Sequence, residues 1–398
     1  MKIAILSDFH LGYERFREDA YRQAEEALNR AAEMSDMIII PGDIFDSRVP
    51  KPDVIAEAIN LFRNLSNRKW NSQITNFVGE GNFYTRVPII AIPGTHERRA
   101  QEAADPVDIL GLAGLVVDIS NATAIVEGNG EKIAVRGLGG IADDRFREIV
   151  TREDPRPTDG AFNIFMFHES LYELLPFNQE FMRIVELPKG FDLYVNGHIH
   201  NRVEANVHGK MLLIPGSTVL TQLKAGEQEQ KGFFIFDTKT SKYEFVKISS
   251  RRFVLIKIDL NKAGSTNSVD FIQDRIDAEI KSTKDVPVIR VVLDGKISKT
   301  YNFDIEINDI PRRYRGRAIV ELSRAGISGE SVREAMASDT IVFERMSVRD
   351  YGIGIFLEKI KAAGVNTWGI SPVELLDMLG SDAPKDKVVR MVLDELVG

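Results

Sequence analysis

The strongest constraint on the fold is a series of short, unbroken apolar runs that alternate with amphipathic segments through about residue 250. The first runs are KIAILS, DMIIIP and VPIIAIP, with helical patterns at about 17–34 and 53–65 between them. Unbroken apolar runs are typical of strands buried on both faces, and the intervening helices indicate an α/β layered domain. Later runs lie closer together and predict a second, more antiparallel sheet that completes a sandwich: AFNIFMF, FDLYVNG, KMLLIPGS, KGFFIFD and KYEFVKI.

The rest of the chain predicts two further regions, as expected for 398 residues, which exceed what one core usually serves. A strand, helix, strand order at 252–346 predicts a smaller α/β domain, with strands at FVLIKIDL and VPVIRVVL and a helix at 267–282, then RAIVEL, 328–337 and TIVFERM. The last fifty residues predict helices, and Ser371, Pro372 and Glu374 form the pattern of a capping box. We therefore predict domains at 1–250, 251–346 and 347–398.

Composition excludes several classes of site. The chain has no cysteine, which removes disulfides, thiolate zinc sites and cysteine nucleophiles, so any metal must be held by imidazole, carboxylate, amide or hydroxyl groups. The net charge of −8 argues against a general nucleic-acid coat protein. No apolar run approaches the roughly 18–20 residues of a membrane span, and the N-terminus lacks a signal-peptide core. We expect a cytoplasmic protein without membrane association.

Five of the six histidines directly follow an apolar run. In open α/β sheets that edge, at the carboxyl ends of the strands, is where ligands bind. Residues two apart on an extended backbone point the same way, so Asp8 and His10, like His198 and His200, can face one ion. Glycines precede several of these positions and allow sharp turns and close backbone approach. The residues concerned are Asp8, His10, Asp43, His96, His168, His198 and His200, with glycines at 42, 94 and 197.

A single histidine of this kind is more simply explained as a loop or capping residue, but the whole set favours a site for two metal ions. Imidazole and carboxylate ligands without thiolate suit manganese, iron or zinc better than magnesium or calcium. Asp43 is placed to bridge the two ions. His208, beside Gly209, is predicted to be a hairpin-turn residue outside the site.

These motifs resemble the calcineurin-like metallophosphoesterase superfamily, whose pattern is D-x-H, G-D-x-x, G-N-H-[D/E], H and G-H-x-H. Within it, HLGYERF, GDIFDSRVPKP and GHIHNRVEANVHGKMLLIPGSTVLTQ are similar to the meiotic-recombination-eleven nuclease, SbcD in bacteria. The similarity covers the first 250 residues. It implies a four-layer α/β/β/α sandwich with a smaller α/β capping domain and a helical C-terminal tail.

The resemblance also implies roles for the individual residues. One ion would be held by Asp8, His10, Asp43 and His200. The second would be held by Asp43, His168, His198 and the residue at position 95, while His96 would be the catalytic histidine, close to the metals but not bound to them. The family has asparagine where this chain has Thr95, which predicts a looser second site or one completed by water, unless Thr95 ligates adequately.

The implied function is that of a manganese-dependent DNA exonuclease or endonuclease in double-strand-break repair, with two manganese ions per subunit. Two such ions can polarise a phosphodiester and activate a water, and His96 could protonate the leaving 3′ oxygen. The resemblance further implies a homodimer, for which 53–65 is the candidate helix. It also implies an SMC-like ABC ATPase partner of the SbcC type, which would dock on the helical tail through the apolar stripe at 388–396 and IGIFLEKIKAAG.

Basic residues near the site are candidates for contact with the ends of DNA. Arg98 and Arg99 follow the catalytic turn, and Arg312, Arg313, Arg315 and Arg317 surround Tyr314 in the densest basic stretch of the chain. Solvated loops are an equally simple explanation of both groups. The long segment 66–86, with Trp70, Phe77, Phe83 and Tyr84, could contact DNA or pack as a hairpin, and the hairpin is slightly favoured.

Two other functions compete with the nuclease. The first is a metal-dependent phosphodiesterase or phosphatase that acts on small molecules or proteins, and the motifs HLGYERF and DSRVPKP and the added domains argue against it. The second is a DNA-end-binding scaffold with a weakened second metal site, which only Thr95 supports.

Overall fold

A computed structural model of the protein describes residues 1–79, 84–98, 104–175, 181–262, 268–283, 285–296 and 301–328. The predicted helical tail at 347–398 and the elements predicted between 329 and 346 lie outside these ranges. Arg99 and Phe83 lie outside them as well.

The described residues form sixteen strands and six α-helices. The strands are β1 (Lys2–Ile5), β2 (Met37–Pro41), β3 (Ser72–Gly79), β4 (Ile89–Ile92), β5 (Val117–Asp118), β6 (Ala122–Gly128), β7 (Glu131–Leu138), β8 (Phe162–Phe167), β9 (Leu193–Asn196), β10 (Val203–Val207), β11 (Lys210–Ile214), β12 (Gly232–Asp237), β13 (Lys242–Lys247), β14 (Phe253–Asp259), β15 (Val288–Lys296) and β16 (Ile319–Ser328). The helices are α1 (Arg17–Met34), α2 (Pro52–Ser66), α3 (Pro106–Leu112), α4 (Asp143–Glu153), α5 (Ser268–Lys281) and α6 (Tyr301–Arg313).

The first sheet contains the predicted strands of the N-terminal α/β pattern. Its order is β13-β12-β1-β2-β4-β5, and β1, β2, β4 and β5 run parallel. The assignment of KGFFIFD and KYEFVKI to the second sheet was wrong, because β12 pairs antiparallel with β1 and β13 extends the same edge. An apolar run shows that a strand is buried, but it does not show which of two sheets the strand joins.

The second sheet is parallel at its centre and antiparallel at its edges. Its order is β10-β11-β9-β8-β7-β6-β3, and β7, β8, β9 and β11 run parallel. The prediction of a more antiparallel sheet is confirmed at the edges, where β10 pairs with β11, β7 with β6 and β6 with β3, but it is wrong for this centre. His208, at a φ of 51°, lies in the hairpin between β10 and β11, as predicted.

Three apolar cores separate four layers and confirm the α/β/β/α sandwich. The outer face of the first sheet packs on α1, α2 and α3, and its inner face packs on the second sheet. The outer face of the second sheet packs on α4, with Phe165 and Phe167 of β8 against Phe146. Because strands in both sheets are covered on two faces, their unbroken apolar composition follows from their position.

The turn of the hairpin predicted for the segment 66–86 lies outside the described residues, and in the described part the backbone N–H of Ile74 donates to the carbonyl of Arg86 at 3.1 Å. Strand β3 pairs antiparallel with β6 and is the edge of the second sheet. Trp70 is packed against the core between the first sheet and its helices, and Phe77 against the core between the sheets. These aromatics are therefore explained by packing.

The chain divides into two compact units. The first contains residues 1–256, 275–290 and 311–321, and the second contains 257–274, 291–310 and the residues from 322 onward. The strands β14, β15 and β16 form a three-stranded sheet in that order. Helix α6 was missed by the sequence analysis, and it carries Pro311 in its last turn. The domain boundaries at 250 and 346 remain predictions.

Among the helices of the described ranges, none is both long enough and apolar enough to cross a bilayer.

Candidate metal centre and catalytic site

The predicted site residues follow the carboxyl ends of strands β1, β2, β4, β8 and β9. The backbone there is unusual, because Asp8, His10, Asp43 and His198 have φ values of 54°, 48°, 53° and 69°. Side chains with a Cβ rarely adopt this left-handed region, and such strain is found mainly where function requires a particular orientation. Four of the seven predicted ligands thus hold strained backbone conformations.

The glycines that precede the ligands leave room for them. Gly42 has a φ of 88°, and a Cβ on it would lie 2.3 Å from Nδ1 of His168. A Cβ on Gly94 would lie 2.3 Å from Oδ1 of Asp43. The predicted close approach of the backbone at these turns is confirmed, and any side chain there would displace a ligand.

The first group of site residues consists of Asp8, His10 and His200, which bring one ligand atom each within 4.8 Å of one another. The Nε2 atoms of His10 and His200 are 3.1 Å apart, and Nε2 of His200 is 3.8 Å from Oδ1 of Asp8. The other nitrogen of His10 donates to Asp46 at 3.0 Å, so in the neutral ring Nε2 presents a lone pair. These atoms have the chemistry and spacing to surround a cation.

The second group consists of Asp8, Asp43 and His168, all of them buried. Nδ1 of His168 donates to the carbonyl of Pro41 at 2.7 Å, because a carbonyl only accepts. Its buried Nε2 faces Oδ2 of Asp43 at 3.2 Å. In the neutral tautomer this nitrogen and the carboxylate oxygen both accept, so the pair needs a positive centre between them, either a second proton on the ring or a bound cation.

Thr95 and His198 lie beside these groups. Oγ1 of Thr95 is 3.2 Å from Nδ1 of His198, and the backbone N–H of His198 donates to Asp8 at 3.2 Å. The rings of His168 and His198 have centroids 5.3 Å apart. The structure therefore brings all seven predicted ligand residues to one place, with Thr95 at the position that asparagine holds in the family pattern.

His96 differs from the other site histidines in being exposed, with 44% of its side chain accessible. Its Nδ1 is 3.1 Å from the carbonyl oxygen and 3.6 Å from Oδ1 of Asp46, and its backbone N–H donates to Asp43 at 2.9 Å. The ring is 4.9 Å from that of His10. A histidine held next to the buried cluster and open to solvent suits the role of a proton donor to a bound substrate.

Glu97 is a site residue that the sequence analysis missed. It is fully buried, and its carboxylate accepts the backbone N–H groups of Asp43, Phe45 and Gly94 at 3.0, 2.9 and 2.8 Å. It thereby ties the turn after β2 to the turn after β4. The acidic position in the pattern G-N-H-[D/E] was the available signal for this residue.

The electrostatics of the cluster follow from its burial. Burial raises the pKa of Asp8. For Asp43 burial acts in the same direction, but the charge and hydrogen bond of His168 outweigh it and lower the pKa below its usual range. Burial disfavours the imidazolium of His168, yet Asp43 outweighs this effect and raises its pKa to about 10. Buried carboxylates of this kind need a positive neighbour, which a bound cation would provide.

The histidines of the Gly-His-x-His motif behave in the opposite way. Burial, together with the positive charge of His168, lowers the pKa of His198 to about 4. Burial and the charge of His10 hold the pKa of His200 well below its usual range. Both rings are therefore neutral at physiological pH, which is the protonation state that binds metals.

The predicted DNA-contact residues lie on the surface where they are described. Arg98 is partly exposed, and Arg312, Arg313 and Arg315 lie at the end of α6 and in the turn after it, where all three are exposed. Arg99 lies outside the described residues. Exposure is compatible with contact to DNA and equally with a solvated surface.

Residues 1–202 match the model of the calcineurin-like phosphoesterase family. The match spans just over half of the 398 residues, and the chain belongs to this family. Membership implies a dinuclear site for divalent metals, and the clustered carboxylates and imidazoles supply candidate ligands for it.

Within this family, the chain is similar to double-strand-break repair proteins, as its motifs indicated. It is 29% identical to double-strand break repair protein MRE11 of Encephalitozoon cuniculi over 64% of this chain and 49% of that protein. It is 28% identical to DNA double-strand break repair protein Mre11 of Methanopyrus kandleri, over 65% and 59% of the two chains. The protein of that name from Saccharolobus solfataricus is 23% identical over 79% and 81%. The matched region thus spans about half the length of the first relatives.

Proposed function

We propose that this chain is a manganese-dependent exonuclease or endonuclease that hydrolyses phosphodiester bonds at DNA ends in double-strand-break repair. The similarity to proteins named for that repair supports the biological setting. The observation that carries the chemistry is a solvent-accessible histidine, His96, directly beside a buried cluster of carboxylates and imidazoles. Manganese is favoured because this donor set combines imidazole and carboxylate without thiolate.

Two ligand sets are proposed for the two ions. Asp8, His10, Asp43 and His200 would hold the first, and Asp43, Thr95, His168 and His198 would hold the second. When bound, a pair of divalent cations polarises the phosphodiester and acidifies the attacking water. Of the proposed ligands, Thr95 has the shortest reach, so the second site is expected to be the weaker one.

His96 would act on the leaving group. Asp46 engages Nδ1 of His96, which leaves Nε2 on the opposite side of the ring for the 3′ oxygen of the broken bond. The hydrogen bond from the backbone of His96 to Asp43 keeps the ring next to the metal ligands. A donor held in this way protonates the alkoxide as it forms.

The His96→Asn variant tests this role. We expect manganese binding to remain within about twofold of the natural protein while cleavage of a labelled DNA duplex falls by at least about 100-fold, the usual range for loss of a general acid. His208→Asn is the matched control, since His208 lies in a hairpin outside the site, and its activity should be unchanged. A His96→Asn protein with full nuclease activity would overturn the assignment.

The substrate class is tested by comparing two substrates with manganese present. A nuclease should cleave the labelled DNA duplex far more efficiently than bis-p-nitrophenyl phosphate, since the duplex offers many more contacts. The reverse preference would favour the competing phosphodiesterase of small substrates.

Reversal of charge at Arg98 and Arg312 should weaken binding of duplex DNA and lower its salt dependence without changing hydrolysis of the small ester.

We further propose an SMC-like ABC ATPase partner and a homodimer. The apolar stripe at 388–396 and the segment IGIFLEKIKAAG suit docking of a helix in a groove. Deletion of residues 346–398 should abolish ATPase binding and spare cleavage of DNA, and retained binding would refute the docking proposal.

For the dimer, α2 is the candidate, although Val54, Leu61 and Phe62 are buried in its own domain. Contact through α2 would therefore use its exposed small and polar positions.

A further inference from the structure

The two histidines of the Gly-His-x-His motif each have one ring nitrogen against a hydroxyl group. Nε2 of His198 is 2.9 Å from Oγ of Ser170. Nδ1 of His200 is 2.5 Å from Oγ1 of Thr221. The two hydroxyls thus engage opposite nitrogens of two rings that are only two residues apart in the chain.

Each hydroxyl also contacts a carboxylate on its other side. Oγ of Ser170 donates to Oδ2 of Asp143 at 2.8 Å, and Oγ1 of Thr221 donates to Oε1 of Glu227 at 3.2 Å. An ionised carboxylate only accepts, and a hydroxyl has a single proton to give. When that proton is directed to the carboxylate, the hydroxyl oxygen accepts from the imidazole N–H.

We propose that Ser170 and Thr221 are positioning residues that impose opposite tautomers on the two histidines. His198 then carries its proton on Nε2 and leaves Nδ1 bare, whereas His200 carries its proton on Nδ1 and leaves Nε2 bare. The bare nitrogens are the ones inside the cluster, because Nδ1 of His198 faces Thr95 at 3.2 Å and Nε2 of His200 faces His10 at 3.1 Å. As far as it concerns metal, the inference rests on the proposed function.

Thr221 and Glu227, the hydroxyl and carboxylate next to His200, are held in place by several hydrogen bonds. Glu227 is buried and accepts the backbone N–H groups of Thr221 and Gln222 at 3.0 and 2.8 Å. Its Oε1 also accepts from Nζ of the buried Lys231 at 3.0 Å, and the same ammonium donates to the carbonyl of His200 at 3.2 Å. Lys231 therefore links the carboxylate of Glu227 to the backbone of His200, which holds the Thr221 hydroxyl against the imidazole ring.

Ser170 and Asp143, the hydroxyl and carboxylate next to His198, are held at the start of helix α4. Asp143 is the first residue of α4, and it accepts the backbone N–H of Ser170 at 3.3 Å in addition to its hydroxyl. Ser170 is buried, so water does not compete freely for its hydroxyl. The two hydroxyl–carboxylate pairs come from different segments of the chain, so a substitution in one pair leaves the other unchanged.

The first experiment reads the tautomers directly in the metal-free protein. Nitrogen-15 NMR of histidine-labelled protein should show the Nε2–H form for His198 and the Nδ1–H form for His200. Ser170→Ala should change the His198 signals alone, and Thr221→Val should change the His200 signals alone. Thr221→Ser, which keeps the hydroxyl, should restore the natural pattern. Unchanged tautomers in both Ser170→Ala and Thr221→Val would overturn the proposal.

The second experiment measures manganese binding by calorimetry. Each hydroxyl deletion should weaken one of the two binding steps by roughly 10- to 100-fold, the usual effect of losing such a partner, and leave the other step unchanged. Equal loss of both steps in both variants would show a general structural defect and overturn the proposal. Natural protein with the expected tautomers but no cleavage of DNA would refute the proposed nuclease function and leave the tautomer assignment standing.

Discussion

Two clusters of acidic side chains in the first unit differ in what surrounds their carboxylates. Asp8 and Asp43 are 0% and 1% exposed, and Oδ2 of Asp43 lies 3.2 Å from an imidazole nitrogen. Asp105, Asp108 and Asp118 also bring oxygens within 4.8 Å of one another, but part of each residue reaches solvent, although the carboxyl group of Asp118 is itself largely enclosed. Proximity of carboxylates is thus common to both clusters.

The second cluster uses its oxygens for the local backbone. Asp105 caps α3 by accepting the N–H groups of Val107 and Asp108, and Asp108 accepts the N–H of Asp105 in return, which makes a capping box. Asp118 accepts the N–H and hydroxyl of Ser120 at 2.9 and 2.6 Å. Imidazole nitrogens next to buried carboxylates therefore indicate a metal site, whereas a group of acidic side chains alone does not.

The largest expected effect that tests this contrast is on manganese affinity. Asp43→Asn removes the charge that both proposed ligand sets share, so we expect affinity to fall by more than about 100-fold, beyond the range seen for partners of ligands. Asp108→Asn is the matched control in the other cluster and should leave affinity unchanged. Calorimetric titration gives both values, and an equal loss in the two variants would remove the distinction between the clusters.

The next effect is on stability and concerns Glu97. In Glu97→Gln an amide NH2 replaces one oxygen that accepts backbone N–H groups, which leaves buried donors facing each other. We expect a loss of about 2–4 kcal/mol in the free energy of unfolding, measured by urea denaturation. Glu148→Gln, on a side chain 66% exposed, should change stability by less than about 0.5 kcal/mol. A similarly small loss in Glu97→Gln would contradict the supporting role of this residue.

A moderate effect is expected for Thr95→Asn, which restores the residue of the family pattern. An amide oxygen reaches further than a hydroxyl and is a better ligand, so the weaker manganese step should tighten by about tenfold, or about 1.4 kcal/mol. The stronger step should not change. Equal affinity of Thr95→Asn and the natural protein in a manganese titration would mean that Thr95 ligates adequately.

The smallest expected effect is on the pH dependence of stability and concerns Asp118, in the cluster that it forms with Asp105 and Asp108. Burial, with the charges of Asp105 and Asp108, raises the pKa of Asp118 from 3.8 to about 7. The folded state therefore binds this proton more tightly than the unfolded state, and this contribution to stability is lost as pH rises toward 7. Asp118→Asn should raise the melting temperature by roughly 1–3 °C at pH 8 and less at pH 5. A gain that is the same at both pH values would contradict this assignment.

Much of the metal centre was predictable because its residues are local features of the sequence. Asp8, His10, Asp43, His96, His168, His198 and His200 each follow an apolar run directly, so assignment of the runs as strands already placed them at one edge. The strand β12 shows the limit of this reasoning. Its run, KGFFIFD, identified a buried strand, but the sheet it joins depends on how the preceding chain returns across the molecule.

The sequence alone determined the layered α/β class and the identity of the clustered ligands, since periodicity and covalent neighbourhood act over a few residues. Only the tertiary structure decided what each ligand touches on its outer side. Asp46 against His10 and His96, Ser170 against His198 and Thr221 against His200 are pairs separated by 21 to 50 residues. Hydrogen bonds of this kind depend on distances within a few tenths of an ångström between segments that are far apart in sequence and meet only in the folded chain.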